Sequence, residues 1–374
     1  MSEFKMHTHL VFVDTFREFV EQERFGDGDF ILTNEFLYAK YIRTLGLSCG
    51  TAFLEQYAPG EPTTETVDRI RADLPQGLRR MVAIGGGAVM DTAKMLSLHT
   101  SRNTTEALFD LTPGAEAPTR LFDVYAVPTT CGTGSEVTNA CSVELMSLHT
   151  KRGLNNDLMF AKKSVLIPEL IRDLPYRFFA TSSIDALIHA VESDLSPKAT
   201  PISRMFSETA VRMILEGYRY LVANGKERWV DRAREFQIAA CYAGIAFCSA
   251  GCAAVHALSY PLGGGYHIPH GESNQLVFAA TFRKYREKKP VGRLNDLEAL
   301  LAQCLDVPAD EALEAAFALF DQVQPRRPLR EYGISDGEFR GFAEGVMAGQ
   351  QRLLGNNYVP LTVEDMVEIY QSVY

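Results

Sequence analysis

The chain has 374 residues, 46% of them hydrophobic and 22% charged, with a formal net charge of −10. That length suits two domains, and that composition suits an ordinary globular protein. The acidic balance argues against nucleic acid or an anionic membrane surface as a partner, since either needs a basic face.

Residues 1–13 carry no apolar core of signal-peptide length, and no run reaches the roughly 18 apolar residues of a membrane span. The seven cysteines show no regular spacing, which fits reduced thiols in a cytoplasm better than a disulfide framework. Cys248 and Cys252 stand at i and i+4 and could hold an ion, although small cysteines commonly fill cores.

Phe30-Ile31-Leu32-Thr33 predicts a strand, followed by a helix from about Glu35 to Leu45. Thr51 to Gln56 predicts a second strand. Glu61-Pro62-Thr63-Thr64 then opens a helix with a proline and a capping hydroxyl. Met81 to Ile84 has the apolar run of a buried strand, with Gly85-Gly86-Gly87 and a helix from about Val89 to His99 behind it. Val124 to Val127 predicts a further strand, ended by Pro128. Alternation of this kind implies an α/β unit built on a doubly wound, Rossmann-like parallel sheet.

After Leu174-Pro175 the alternation of short β-rich runs and helical patterns gives way to helical periodicity. Helices are expected over 184–195, 201–224, 229–250, 274–288, 297–305, 310–320, 336–354 and 363–374. The expected division is an α/β domain at 1–176 and an all-helical domain at 177–374, with a cleft between them as the natural seat of a cofactor-dependent site.

Two loops in the first half suit a dinucleotide. Gly85-Gly86-Gly87 lets backbone approach a phosphate at a helix N-terminus, although it is not the usual G-x-G-x-x-G and also reads as a tight strand–helix turn. Pro128-Thr129-Thr130-Cys131-Gly132-Thr133-Gly134-Ser135 offers hydroxyls to a carboxamide, ribose or phosphate, or simply forms a polar turn. Asp91 and Lys94, in the helix after the glycines, read as ordinary exposed charges.

The second half carries the metal chemistry. Asp185 and His189 are four residues apart and share a helix face. His256 and His270 flank Pro261 and Gly263-Gly264-Gly265. Three imidazoles and one carboxylate suit a borderline divalent ion such as Fe²⁺ or Zn²⁺. Each residue also has a structural reading alone: Ser182 could cap a helix with Asp185 completing a capping box, His189 and His256 could be core histidines, and His270 a turn residue. Glu192 could support a ligand or face solvent.

Together these motifs resemble the iron-containing alcohol dehydrogenase family, which shares its dehydroquinate synthase-like fold with glycerol dehydrogenase. The resemblance rests on Gly85-Gly86-Gly87 with Asp91 and Lys94, on Pro128 to Thr138, on Asp185 to Ala190 with Glu192, and on His256 through His270-Gly271. It implies that Asp185, His189, His256 and His270 bind the metal. It also implies that Gly85, Gly86, Gly87, Asp91, Thr129, Thr130 and Thr133 contact NAD(P). Segments 28–38, 174–179, 328–333 and 349–354 look most like members acting on 4-hydroxybutyrate. That implies interconversion of 4-hydroxybutyrate and succinate semialdehyde, with a short alcohol, a diol or another ω-hydroxy acid as the alternative substrate, and a lyase of the dehydroquinate synthase type as the alternative reaction.

Three positions depart from the family pattern. Ala88 replaces a frequent serine. Asn34 stands where NAD-preferring relatives often have aspartate, so NAD is expected but a 2′-phosphate is less strongly repelled. Tyr260 replaces a further histidine. His267 and Tyr260 are the expected catalytic residues, and His267, Arg177 and Lys151 the cations available to an anionic group. The family also implies a homo-oligomer, taken as a dimer.

Overall fold

The computed structural model describes residues 3–58, 62–110, 112–147 and 150–374. Two compact units make up the chain. One comprises Met6–Thr130 and Gly134–Leu174; the other comprises Cys131–Thr133 and Pro175–Tyr374, with the N-terminal residues up to Lys5.

The first unit is built on a six-stranded sheet. Its strands are β1 (His9–Phe12), β2 (Asp29–Thr33), β3 (Gly50–Phe53), β4 (Arg80–Gly85), β5 (Asp123–Pro128) and β6 (Lys163–Leu166). They lie in the order β1-β6-β5-β4-β2-β3, all parallel. β2 is buried along its whole length and β4 beyond Arg80, as expected of central parallel strands covered on both faces. Apolar clusters lie on the two sides, one around Leu32, Ala83 and Met90, the other around Ile31, Val82 and Phe16. Arg80 closes the start of β4 onto β2: its Nε and Nη2 bind the two Asp29 oxygens at 2.8 and 2.7 Å, and its Nη1 reaches Glu23 at 3.0 Å.

Several boundaries differ from the sequence expectation. The strand expected over Thr51–Gln56 ends at Phe53, where Leu54–Gln56 turn into a 3₁₀ helix. Residues 35–45 are helical throughout, but the winding passes from α (Glu35–Leu37) to π (Tyr38–Ile42) to 3₁₀ (Arg43–Leu45). Pro62 precedes the next helix rather than opening it. Thr63 is the cap of Thr64–Asp73, accepting from the Thr66 amide; Glu61 lies outside the described residues. The helix after the glycines, α1, runs Gly87–Leu96, and Leu98–His99 instead pair with Thr119–Arg120. The hairpin Ala140–Leu145/Thr150–Asn155, the edge strand β1 and the strand β6 were not expected. β1 is short and half-exposed, so it lacks the apolar signature of β2 and β4.

The second unit is helical. No strand occurs among the described residues after Leu166. Its first long helix, α2 (Tyr176–Leu195), is buried continuously from Ser183 to Leu195. Pro175 precedes it, so Ser182 stands in its second turn and not at its start; the Ser182 hydroxyl donates to the Phe179 carbonyl. The capping-box reading of Ser182 and Asp185 therefore fails. Pro201–Asn224 is a helix as expected, while 3₁₀ winding over Lys226–Arg232 delays the next to Ala233–Ala250.

A helix missed in the sequence follows: α3 (Ala254–Tyr266), which carries His256 and runs through Pro261 and into Gly263–Gly265. Proline and glycine lower helix propensity, but the helix is buried from Ala254 to Ser259, and packing overrides them. α4 (His270–Lys288) begins at His270, four residues earlier than expected. Among the described residues no single helix is long and apolar enough to cross a membrane.

Candidate metal centre

Three helices of the second unit place four donor side chains together. Asp185 and His189 face the same way from α2, His256 comes from the first turn of α3, and His270 is the first residue of α4. The Nε2 atoms of His256, His270 and His189 lie 3.6, 3.7 and 3.9 Å from Asp185 Oδ1. All four residues offer ligand atoms within 4.8 Å of one another. Four ligands at about 2.0–2.2 Å around a tetrahedral ion stand roughly 3.3–3.6 Å apart, so the three distances to Asp185 Oδ1 exceed that range by at most a few tenths of an ångström. His256 Nε2 is buried and has no hydrogen-bond partner among the described residues. Buried nitrogen without a partner is costly, and an ion at this point supplies one.

The groups behind the ligands are specific. Glu192, one turn beyond His189, is buried, and its Oε2 lies 2.6 Å from His256 Nδ1. A proton on Nδ1 is held there, which leaves the Nε2 lone pair facing the other three donors. Glu192 also accepts from the Val255 amide at 2.7 Å and the Ala253 amide at 3.0 Å, fastening α2 to the start of α3. Asn274, one turn after His270, donates to Asp185 Oδ1 at 2.7 Å and lies 3.3 Å from His270 Nε2. Sequence reading passed over Asn274; its i+4 spacing from His270 was the available signal. Cys252 follows the break at Gly251, so it shares no helix face with Cys248. It lies instead with Glu192 and His256.

Electrostatics suit ligand duty at two of these groups. Burial pushes His189 down to about 3, leaving its imidazole neutral. Burial opposes charge on Asp185, yet His189, His270 and His256 outweigh it and hold the carboxyl well below the usual range. His256 differs: burial opposes its charge, but Cys252 and Glu192 outweigh burial and favour the protonated ring, so an ion at Nε2 would displace a proton there.

His270 is the most open of the four, with its side chain 36% exposed against 7% or less for the others. Tyr260, one turn after His256, has its ring centre 6.3 Å from that of His270. His267 closes α3 in the left-handed region at φ 53°, exposed and apart from the four converging groups. Arg177 donates to Glu272 at 3.0 Å, and Glu272, two residues after His270, also receives the Tyr332 hydroxyl at 2.6 Å and Arg327 at 3.5 Å. Thr133 belongs to this unit with Gly132, whose missing Cβ would stand 2.8 Å from the Ser182 carbonyl on α2.

The dinucleotide candidates of the first unit gather at the C-terminal ends of β4 and β5. A Cβ on Gly85 would strike the Val89 side chain at 2.5 Å, so only glycine lets α1 leave the strand so tightly. Gly86 caps α1, and Gly87 is its first residue. The Thr129 amide donates to the Gly85 carbonyl at 3.0 Å, and Thr130 lies against Gly86. Asn34 directly follows the neighbouring β2 and caps Glu35–Leu37.

The reading of Asp91 and Lys94 as ordinary exposed charges is overturned. Lys94 is fully buried, donating to Ser135 Oγ at 2.7 Å, the Ala140 carbonyl at 2.9 Å and Thr138 Oγ1 at 3.1 Å. Asp91 accepts from Ser135 Oγ at 2.5 Å and the Ser142 amide at 2.8 Å. Both charges brace the hydroxyl-rich loop from behind. Lys151, in the hairpin, acts electrostatically on Asp91.

Comparison with known proteins adds the family. Residues 17–168 match the iron-containing alcohol dehydrogenase model, and residues 179–374 match the C-terminal model of the Fe-containing alcohol dehydrogenase family. Over 362 residues the chain is 46% identical to 4-hydroxybutyrate dehydrogenase of Clostridium kluyveri, covering 96% of each protein. It is 32% identical over 323 residues to long-chain-alcohol dehydrogenase 1 of Geobacillus thermodenitrificans, covering 84% of this chain and 80% of that one. A solved structure of sulfoacetaldehyde reductase from Bifidobacterium kashiwanohense, in complex with NAD⁺, superposes with a TM-score of 0.83 at 22% identity, covering 100% of this chain and 98% of that one. At that identity the likeness speaks for the fold alone.

Proposed function

Because the chain belongs to the iron-containing alcohol dehydrogenase family, we propose that it interconverts 4-hydroxybutyrate and succinate semialdehyde, using NAD and a divalent metal. The observation that carries this reading is the four-donor cage of Asp185, His189, His256 and His270, in a chain 46% identical, nearly end to end, to a 4-hydroxybutyrate dehydrogenase. Fe²⁺ is the ion proposed, with Zn²⁺ the competing occupant of the same donors.

When bound, the ion supplies Lewis acidity to the substrate's alcohol oxygen, and the nicotinamide supplies the hydride acceptor. The rest falls to the chain. Glu192 fixes the tautomer and direction of His256, and Asn274 fixes Asp185. His270 forms the accessible side of the cage. His267, exposed to solvent, and Tyr260, beside His270, are the groups assigned to proton exchange with the hydroxyl.

In the first unit, the amides at the start of α1 and the Gly85–Gly87 turn take the pyrophosphate, and Thr129 and Thr130 add hydroxyl donors. Thr133, in the second unit, is the remaining hydroxyl proposed as a cofactor donor. Arg177 is the cation assigned to the acid's carboxylate: it shares Glu272 with Arg327, so two guanidinium groups face one carboxylate and one positive charge is left over. The assembly is taken as a homodimer.

The test is NADH formation, measured anaerobically with metal analysis, across 4-hydroxybutyrate, 1-butanol, 1,3-propanediol and other ω-hydroxy acids. The expected result is the highest kcat/KM for 4-hydroxybutyrate. Equal or better turnover of 1-butanol would refute the substrate assignment and leave the reaction class standing.

A further inference from the structure

The neutral Asn34 leaves a question at the far end of the dinucleotide site. β2 lies between β4 and β3, with Thr33 in register with Ile84 on one side and Phe53 on the other. The glycine turn, Asn34 and the Leu54–Gln56 turn therefore stand side by side along the same edge of the sheet. Ligands of open parallel sheets bind outside this carboxyl edge, and an acidic side chain there customarily takes the ribose hydroxyls of the cofactor's adenosine half.

An acidic side chain is present, but it comes from the next strand over. Glu55 is exposed, and its Oε1 accepts from Asn34 Nδ2 at 2.9 Å and from the Glu35 amide at 3.3 Å. Two donors fix that oxygen, while Oε2 accepts nothing among the described residues. The arrangement also accounts for Asn34. An aspartate at position 34 would set a second carboxylate against Glu55, whereas an amide can donate to it.

We infer that Glu55, oriented by Asn34, is the acceptor for the adenosine ribose of the cofactor and the charge that excludes a 2′-phosphate. Asn34 is thus a positioning residue, and the selectivity for NAD comes from a position twenty-one residues further along the chain. The inference rests on the reading that the glycine turn takes a dinucleotide.

Its test is the binding of NADH and of NADPH, followed by nucleotide fluorescence, in the purified protein and in Glu55→Gln. Unmodified protein is expected to bind NADH at least about tenfold more tightly than NADPH. Glu55→Gln, which removes one charge from an exposed position, should shrink that ratio by about tenfold, weakening NADH and strengthening NADPH together. Asn34→Ala should move the ratio the same way by a smaller factor. A Glu55→Gln ratio within twofold of the unmodified protein's would overturn the inference, as would a preference for NADPH in the unmodified protein. Failure of the dinucleotide reading has a separate signature, binding of neither nucleotide by unmodified protein, and the inference would go with it.

Discussion

Glu192 and His256, sixty-four positions apart, meet at 2.6 Å through Oε2 and Nδ1, and the same carboxylate takes the amides of Ala253 and Val255. One buried side chain thus sets both the tautomer of a candidate ligand and the start of the helix that bears it. Replacing it by glutamine should lower metal affinity by about 10–100-fold. Competition with a fluorescent chelator measures the change; an affinity within twofold of the unmodified protein would sink the tautomer argument.

His270→Ala removes the most exposed donor and leaves three. Turnover and metal retention are expected to be lost together, while NADH binding stays. Elemental analysis after desalting, alongside an activity assay, checks this. Activity surviving full metal loss would refute the Lewis-acid role.

Removing the metal from unmodified protein should lower the melting temperature, because an ion that binds only the folded chain stabilises it. At a hundred times its Kd that contribution is about 2.7 kcal/mol. Calorimetry before and after anaerobic chelation, then with Fe²⁺ restored, gives the comparison. Identical melting with and without metal would count against an ion in the cage.

Lys94→Met strips a buried ammonium from Ser135, Thr138 and the Ala140 carbonyl, and takes from Asp91, 3.9 Å away, the stronger of the two cations acting on it. Removing one member of a buried charged set costs about 3–5 kcal/mol. Urea denaturation should register that loss, and NADH affinity should fall with the loop. A change under 1 kcal/mol would mean that the ammonium is not bracing it.

The Asp29–Arg80 fork makes the first unit acid-sensitive. Burial works against ionised Asp29, but the Arg80 bonds outweigh it and lower its pKa. A carboxylate lowered on folding gives stability that is full above the unfolded value, about 3.9, and is lost as pH falls through the folded value. The melting-temperature gap between unmodified protein and Asp29→Asn should therefore be constant from pH 7 to about 5 and begin to narrow below about 4. A gap that widens as pH falls below about 4 would contradict the assignment.

Arg177→Met should raise KM for 4-hydroxybutyrate about tenfold more than KM for 1-butanol, because only the acid loses a charged partner. Parallel changes for both substrates would make Arg177 a structural support of Glu272 and nothing more.

Much of this was open to sequence reading where the signal is local. Ile31-Leu32 and Val82-Ala83 lie in unbroken apolar runs, which a strand covered on both faces requires, and β2 and β4 are such strands. Asp185 and His189 announce themselves by i, i+4 spacing, and Pro201–Asn224 by its period. The misses share one cause. α3 carries a proline and three glycines that disfavour a helix, and exists because its surroundings bury it; Lys94 looks like any surface lysine until the loop from Ser135 to Ala140 folds over it.

The sequence by itself therefore determined the central strands β2, β4 and β5, the change from sheet to helix near Pro175 and the donor types available for a metal, because each depends on residues a few positions apart. Only the tertiary structure decided that Glu192 holds His256, that Asn274 holds Asp185 and that Glu55 meets Asn34. Those pairs are separated by 64, 89 and 21 positions, and spacing along a chain carries no information about which distant side chains packing will bring within hydrogen-bond reach.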